Sequence, residues 1–218
     1  CAQVGIPAHP GLLRAFSDYA RRVEYRGGGG GSAAAEAEVL RLSGGPGAPP
    51  IRDADVVTVC LAVRSLARTT SVLPNVRLDL TGEPITCEGA KTIAAVLQVN
   101  CGLRAVILRR TRISDSGAAA LGAALGGSSV AELDLGECSI RDAGARLFVR
   151  GVQMHGAPLS LAVLLFDGNP MGDAGAVEII SLIEGPNRPP NLAVLAVRPQ
   201  PPRSLSAEVD AALQVVCQ

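Results

Sequence analysis

The sequence predicts an α/β solenoid in which parallel strands line one face, helices form the other, and helical caps close both ends. Two observations carry this. Short segments of alternating apolar residues recur in one phase, at residues 78–80, 106–108, 133–135, 164–166 and 195–197. The first four are each followed by a glycine (Gly89, Gly117, Gly144, Gly175) that opens a stretch with helical apolar spacing. The units start at 75, 103, 130, 161 and 192, in steps of 28, 27, 31 and 31 residues. A unit this short cannot bury its own apolar side, so neighbouring units must stack.

The first 25 residues predict a helix: Pro10 suits a first helical turn, and Leu12, Leu13, Phe16, Ala20 and Val23 share one face. It would cap the open end of the stack. The glycine run at 27–31 reads as a flexible, low-complexity insertion. Without GK[ST] or a preceding apolar strand, it lacks the setting of a phosphate loop. Ala37 to Leu42 repeats the strand pattern, which makes 37–74 a degenerate first unit. Its helix is predicted from about Asp53 to Arg68, burying Val56, Val59, Cys60, Val63 and Leu66.

The alternating Leu78 and Leu80 suit a strand with period two. The part after the glycine suits a helix, through Ala90, Ile93, Ala94, Val96 and Leu97 in one unit and Ala118, Leu121, Ala124 and Leu125 in the next. Later helices should contain Leu147, Phe148 and Val152, then Val177, Ile180, Leu182 and Ile183. Strand plus crossover helix makes neighbouring strands parallel. Ser206 is read as the N-cap of a last helix with Val209, Ala212, Leu213 and Val216 on its apolar face. The domain boundaries are therefore 1–36 for the N-terminal cap and linker, 37–198 for five to six repeat units, and 199–218 for the C-terminal cap.

Composition narrows the function classes. Only 2% of residues are aromatic, so the core must consist of thin layers of Leu, Val, Ile and Ala. A net charge of zero shows no basic footprint for nucleic acid. No stretch reaches the length of a membrane-spanning helix, and no secretory signal is visible. All but one of the 20 basic residues are Arg, Lys91 being the exception; a GC-rich coding bias accounts for this. The six cysteines at 1, 60, 87, 101, 138 and 217 form no CxxC pair, which suggests reduced thiols in an intracellular protein. The chain opens on Cys1 rather than Met, as a piece of a longer protein would.

The repeating motif resembles that of leucine-rich repeats, specifically the ribonuclease-inhibitor-like class, over residues 37–198. The resemblance implies a polar ladder at Glu83, Thr111, Cys138 and Asn169 that satisfies backbone groups in the turn after each strand; Glu83 departs from the usual residue types. Residues 1–10 are similar to the entry segments of repeat proteins of cilia, flagella and centrosomes. These resemblances imply a non-enzymatic protein-interaction scaffold of the cytoplasm or cytoskeleton, in a cilium, flagellum or other large assembly. The class also includes activators of the Ran GTPase, so the alternative is a regulator of a small GTPase; a third reading is the sensor fragment of an immune-type receptor.

By alternation, the inner-face residues are Arg77, Asp79 and Thr81; Ala105, Ile107 and Arg109; Glu132, Asp134 and Gly136; Val163, Leu165 and Asp167; Val194, Ala196 and Arg198. We place the partner site on Ile107, Arg109, Asp134, Leu165 and Asp167 of that concave face. No catalytic, cofactor or metal site is expected. His9 and His155 have no nucleophile or carboxylate arrangement around them in the sequence. Asp115, Asp142 and Asp173, two residues before their glycines, are expected to cap helix starts rather than to bind metal.

Overall fold

The computed structural model describes residues 10–11, 14–18, 39–42, 47–69, 75–99, 102–155, 160–185, 188–199 and 204–216. The glycine run at 27–31, His9 and most of the expected N-terminal helix lie outside these residues. Within that helix, residues 10–11 and 14–18 are helical, and Ala15 and Phe16 pack against the core.

Among the described residues six strands form one sheet in chain order: β1 (Val39–Leu42), β2 (Asn75–Asp79), β3 (Leu103–Ile107), β4 (Glu132–Asp134), β5 (Val163–Leu165) and β6 (Val194–Ala196). Every neighbouring pair is parallel. A helix follows each strand: α1 (Asp53–Thr69), α2 (Cys87–Leu97), α3 (Ser114–Leu125), α4 (Asp142–His155), α5 (Asp173–Glu184) and α6 (Ala207–Val216). Each helix packs on the next. The first helix matches the expected span to one residue, and Val56, Val59, Cys60 and Val63 are buried as expected.

The register explains the phase of the repeat. Leu78, Val106, Leu133, Leu164 and Leu195 are ladder partners on successive strands, all within the buried core. One pleat further on, Leu80, Leu108, Leu135, Phe166 and Val197 form a second buried row. Phe148 of α4 meets Phe166 edge-on, with ring centroids 5.1 Å apart, and these two rings supply most of the core's aromatic bulk.

The later helices contain Leu147 and Val177 as expected. Leu147 is 45% exposed and Val177 is 51% exposed; they point away from the core. The buried faces are Ala145, Phe148, Val149 and Val152 in α4, and Ala176, Ile179, Ile180 and Leu182 in α5. Successive residues are turned about 100° around the helix axis, so the buried stripe takes in Phe148 and Val149, or Ile179 and Ile180, and leaves Leu147 and Val177 outside it.

The helix starts are joined across units in a way that spacing alone did not show. The carboxylates of Asp53, Asp115, Asp142 and Asp173 serve the following unit. Thr86 donates to Asp53 from its N–H (2.9 Å) and its hydroxyl (2.5 Å). Arg141 N–H donates to Asp115 Oδ1 at 2.7 Å. Gly172 N–H and Gly175 N–H donate to Asp142 Oδ1 at 2.7 and 3.1 Å, and Ser206 N–H donates to Asp173 Oδ1 at 2.9 Å. Each carboxylate thus meets the positive end of the next helix.

The repeated glycine follows from this. A β-carbon on Gly89 or Gly144 would collide with the carboxylate of Asp53 or Asp115, and one on Gly175 would come within 2.6 Å of Asp142 Oδ1. At the corresponding place before Gly117 stands Cys87. There Ile113 Cβ and Ala90 Cβ are the close neighbours, at 2.8 and 3.0 Å, and Arg112 N–H donates to the Ile85 carbonyl at 2.8 Å. Removing one of these carboxylates has a measurable price: Asp142→Ala is expected to lower stability by about 1–2 kcal/mol, read from denaturant unfolding, as loss of a helix cap does.

Candidate protein-binding surface

Side chains on the strand face away from the helices follow two regimes. Over β2–β4 they are charged and paired. Arg77 and Glu132 lie two strands apart, with Ala105 between them in the register. Because Ala105 is small, the guanidinium reaches over β3 to the carboxylate, at 2.5 and 3.3 Å. Arg109 repeats the device one step along. Its guanidinium lies against Gly136, where a β-carbon would sit 2.5 Å from Arg109 Cζ. There it donates to Asp134 Oδ2 at 2.9 Å and to Glu137 Oε1 at 3.3 Å, and stands 3.9 Å from Asp167 Oδ2.

The hydrogen bond from Arg109 to Asp134 raises the guanidinium's pKa further and fixes it in the charged form. Asp134 also accepts from Gly136 N–H at 2.8 Å, so its acceptors are occupied within the chain. Arg110 donates to Glu137 at 3.0 Å, and that bond is the largest cause of the lowered pKa of Glu137. Arg110 and Glu137 both take left-handed backbone, with φ of 60° and 54°, at the turn positions that Gly82 and Gly168 fill in other units. The Glu137 side chain passes over Gly168, leaving no room there for a β-carbon.

These pairings place the expected site residues. Ile107 and Asp134 are buried, at 5% and 6% exposure. Ile107 lies between Asp79 and Asp134 in the register, within the zone crossed by the ion pairs, and little of it reaches solvent. Arg109 is mostly consumed by intramolecular pairs. Leu165 and Asp167 are partly exposed, and Asp167 Oδ1 has no hydrogen-bond partner.

Over β5 and β6 the face turns apolar. Val163 pairs in register with Val194, and Leu165 with Ala196. Val194 is 45% exposed, while Val163, Leu165 and Ala196 are partly so. Asp167 and the exposed Arg198 lie at the C-terminal ends of these strands.

Behind this face, the polar ladder is buried. Asn169, with no exposed surface, accepts from Cys138 N–H (2.9 Å) and Ile140 N–H (3.0 Å). It also donates to the carbonyls of Leu135 (2.7 Å) and Phe166 (2.8 Å). The Cys138 thiol donates to the Leu108 carbonyl at 2.9 Å; burial pushes its pKa up, which keeps the proton in place. Thr111 donates to the same carbonyl at 2.6 Å. Glu83 instead reaches back to the first unit, accepting from Ile51 N–H at 2.8 Å. This explains why a carboxylate stands where the other units have smaller groups.

Cys87 and Cys138 are free thiols. Among the described residues no group of three or more His, Cys, Asp and Glu side chains is placed to hold a metal ion, and no helix is long and apolar enough to cross a membrane. The side chain of His155 lies outside the described residues.

A comparison with curated proteins finds no match to this chain. A family model described as a leucine-rich repeat matches residues 99–122. That segment is the unit running from β3 into α3, so the chain carries a leucine-rich repeat, a building block of protein–protein interaction modules.

Proposed function

We propose that residues 37–198 form a ribonuclease-inhibitor-like leucine-rich repeat solenoid, capped at both ends, that holds protein partners on its strand face as an intracellular scaffold. The parallel strands in chain order, each followed by a helix, support the architecture. The observation that carries the binding reading is the apolar patch of Val163, Leu165 and Val194, which folding leaves at least partly accessible. Contiguous exposed apolar surface with a polar rim is the ordinary mark of a protein contact. Arg109, Ile107 and Asp134 make up the braced floor next to it rather than its accessible part.

A place in a cytoskeletal or axonemal assembly rests on the similarity of residues 1–10 to entry segments of ciliary repeat proteins. The scaffold reading makes two demands. Leu165→Glu with Val194→Glu should reduce a defined set of proteins captured from native extract by roughly tenfold or more, as loss of a buried apolar anchor does. Unchanged capture would remove the strand face from the account. The protein should also leave GTP hydrolysis by a panel of small GTPases unaltered; acceleration of any one would replace the scaffold with the regulator.

A further inference from the structure

The helix side of the sheet carries two neighbouring surfaces of opposite charge. On α4, Leu147 and Met154 lie on one stripe, 45% and 72% exposed, flanked by the exposed Arg146 and Arg150. Next to it α3 presents small residues and no basic group. Asp115 and Asp142, the acids of these two helices, are turned to the N–H groups of following units. The other half is acidic: α5 and α6 include Glu178, Glu184 and Glu208 and contain no Lys or Arg, and Val177 stands 51% exposed among them.

The close approach of Gly122 to the Phe148 backbone, and of Gly151 to Ala123, fixes which flank of α4 faces α3. Arg146 donates to Glu178 at 3.1 Å, which fixes the flank that faces α5. By helical periodicity Leu147 then leans toward α3, and Val177, two residues after Gly175, leans toward α6.

We infer that this surface pairs with a second copy of the chain about a twofold axis running along the groove between α4 and α5. That operation lays α4 of each copy on α5 of the other, at the same level along the helices. Leu147 then meets Val177 of the second copy, and Arg150 comes within a turn of its Glu178 and Glu184. The contact is isologous, so each attraction occurs twice. A twofold axis along α4 itself, which stacks α4 on α4 in parallel, would oppose Arg150 to itself. Charge complementarity thus selects both the occupant and the axis. The surface is separate from the strand face, and its use does not depend on the function proposed above.

Molar mass measured by light scattering and sedimentation over a concentration series tests this. The expected result is a monomer–dimer equilibrium that weakens with added salt. Arg150→Glu alone and Glu184→Arg alone should each weaken dimerisation by roughly tenfold or more, because each places two like-charge pairs in the contact. An equimolar mixture of the two variants should recover dimers, since both opposed pairs become attractive again. Both residues are exposed, and unchanged thermal melts would exclude misfolding. A monomeric mass throughout, single variants that dimerise as well as the parent, or a mixture that shows no recovery would each overturn the inference.

Discussion

Replacing Asn169 with leucine is expected to destabilise the protein by at least about 4 kcal/mol, a large share of the usual 5–15 kcal/mol for a domain. The reason is the number of groups stranded at once. Asn169 is wholly buried and makes four hydrogen bonds to backbone groups of Leu135, Phe166, Cys138 and Ile140. Three of those residues belong to the preceding unit, so the loss would loosen the seam between units as well as one turn. Leucine fills the volume but offers no donor or acceptor. Each unsatisfied buried group costs about 1–3 kcal/mol. Thr111→Val, at the same place two units before Asn169, removes one hydroxyl donor and should cost only about 1 kcal/mol. Denaturant unfolding of the two variants measures the contrast; equal losses would show that the ladder position, and not the hydrogen-bond count, sets the stability.

Gly122→Val is the second large effect. A β-carbon at this position would meet the carbonyl oxygen of Phe148, with its Cα 2.8 Å and its carbonyl carbon 2.9 Å away. All three are backbone atoms of the facing helix and cannot swing aside. α3 and α4 would have to separate, loosening Leu121 and Ala118 on one side and Phe148 on the other. We expect a loss of about 3 kcal/mol or more. Gly127, a few residues along, has open space where its β-carbon would go, so Gly127→Ala should change stability by no more than about 0.5 kcal/mol. Thermal or denaturant unfolding of the two variants separates a packing requirement from a general dislike of losing glycine.

The contrast between these positions shows what the chain makes legible. The phase of the leucines gives strand pairing and burial together, because period two leaves only one way to bury Leu78, Leu133 and Leu164 in a shared layer. Asn169 and Cys138 are visible for the same reason, as polar side chains at a fixed place in an apolar repeat. The direction of the Asp115, Asp142 and Asp173 carboxylates is not visible. A carboxylate at a helix start fits its own N–H groups and those of the next unit equally well until the packing distance between helices is known. Gly122 is hidden among alanines and glycines of α3, where composition does not distinguish a spacer from a contact.

The shared strand face of the proposed site residues was legible; how their side chains lie on it was not. Alternation assigns Ile107, Arg109, Asp134, Leu165 and Asp167 to one face, and the register brings them to neighbouring strands. Alternation says nothing about how far long side chains lie down. Arg77 and Arg109 cross small residues, Ala105 and Gly136, to reach carboxylates two strands away, and that leaves the last strands as the accessible apolar part. Leu147 and Val177 fall in their helices as expected but off the buried stripe, which is narrower than each helix's apolar content.

The claim that most of the account rests on is that foreign partners meet the strand face. Photoreactive side chains placed singly at Val163 and Val194 on that face, and at Ala120 and Met154 on the helix side, test it by crosslinking in native extract with identification by mass spectrometry. The expected result is crosslinks to other proteins from positions 163 and 194, with the helix-side positions giving only adducts between copies of this chain. Crosslinks to other proteins confined to positions 120 and 154 would contradict it.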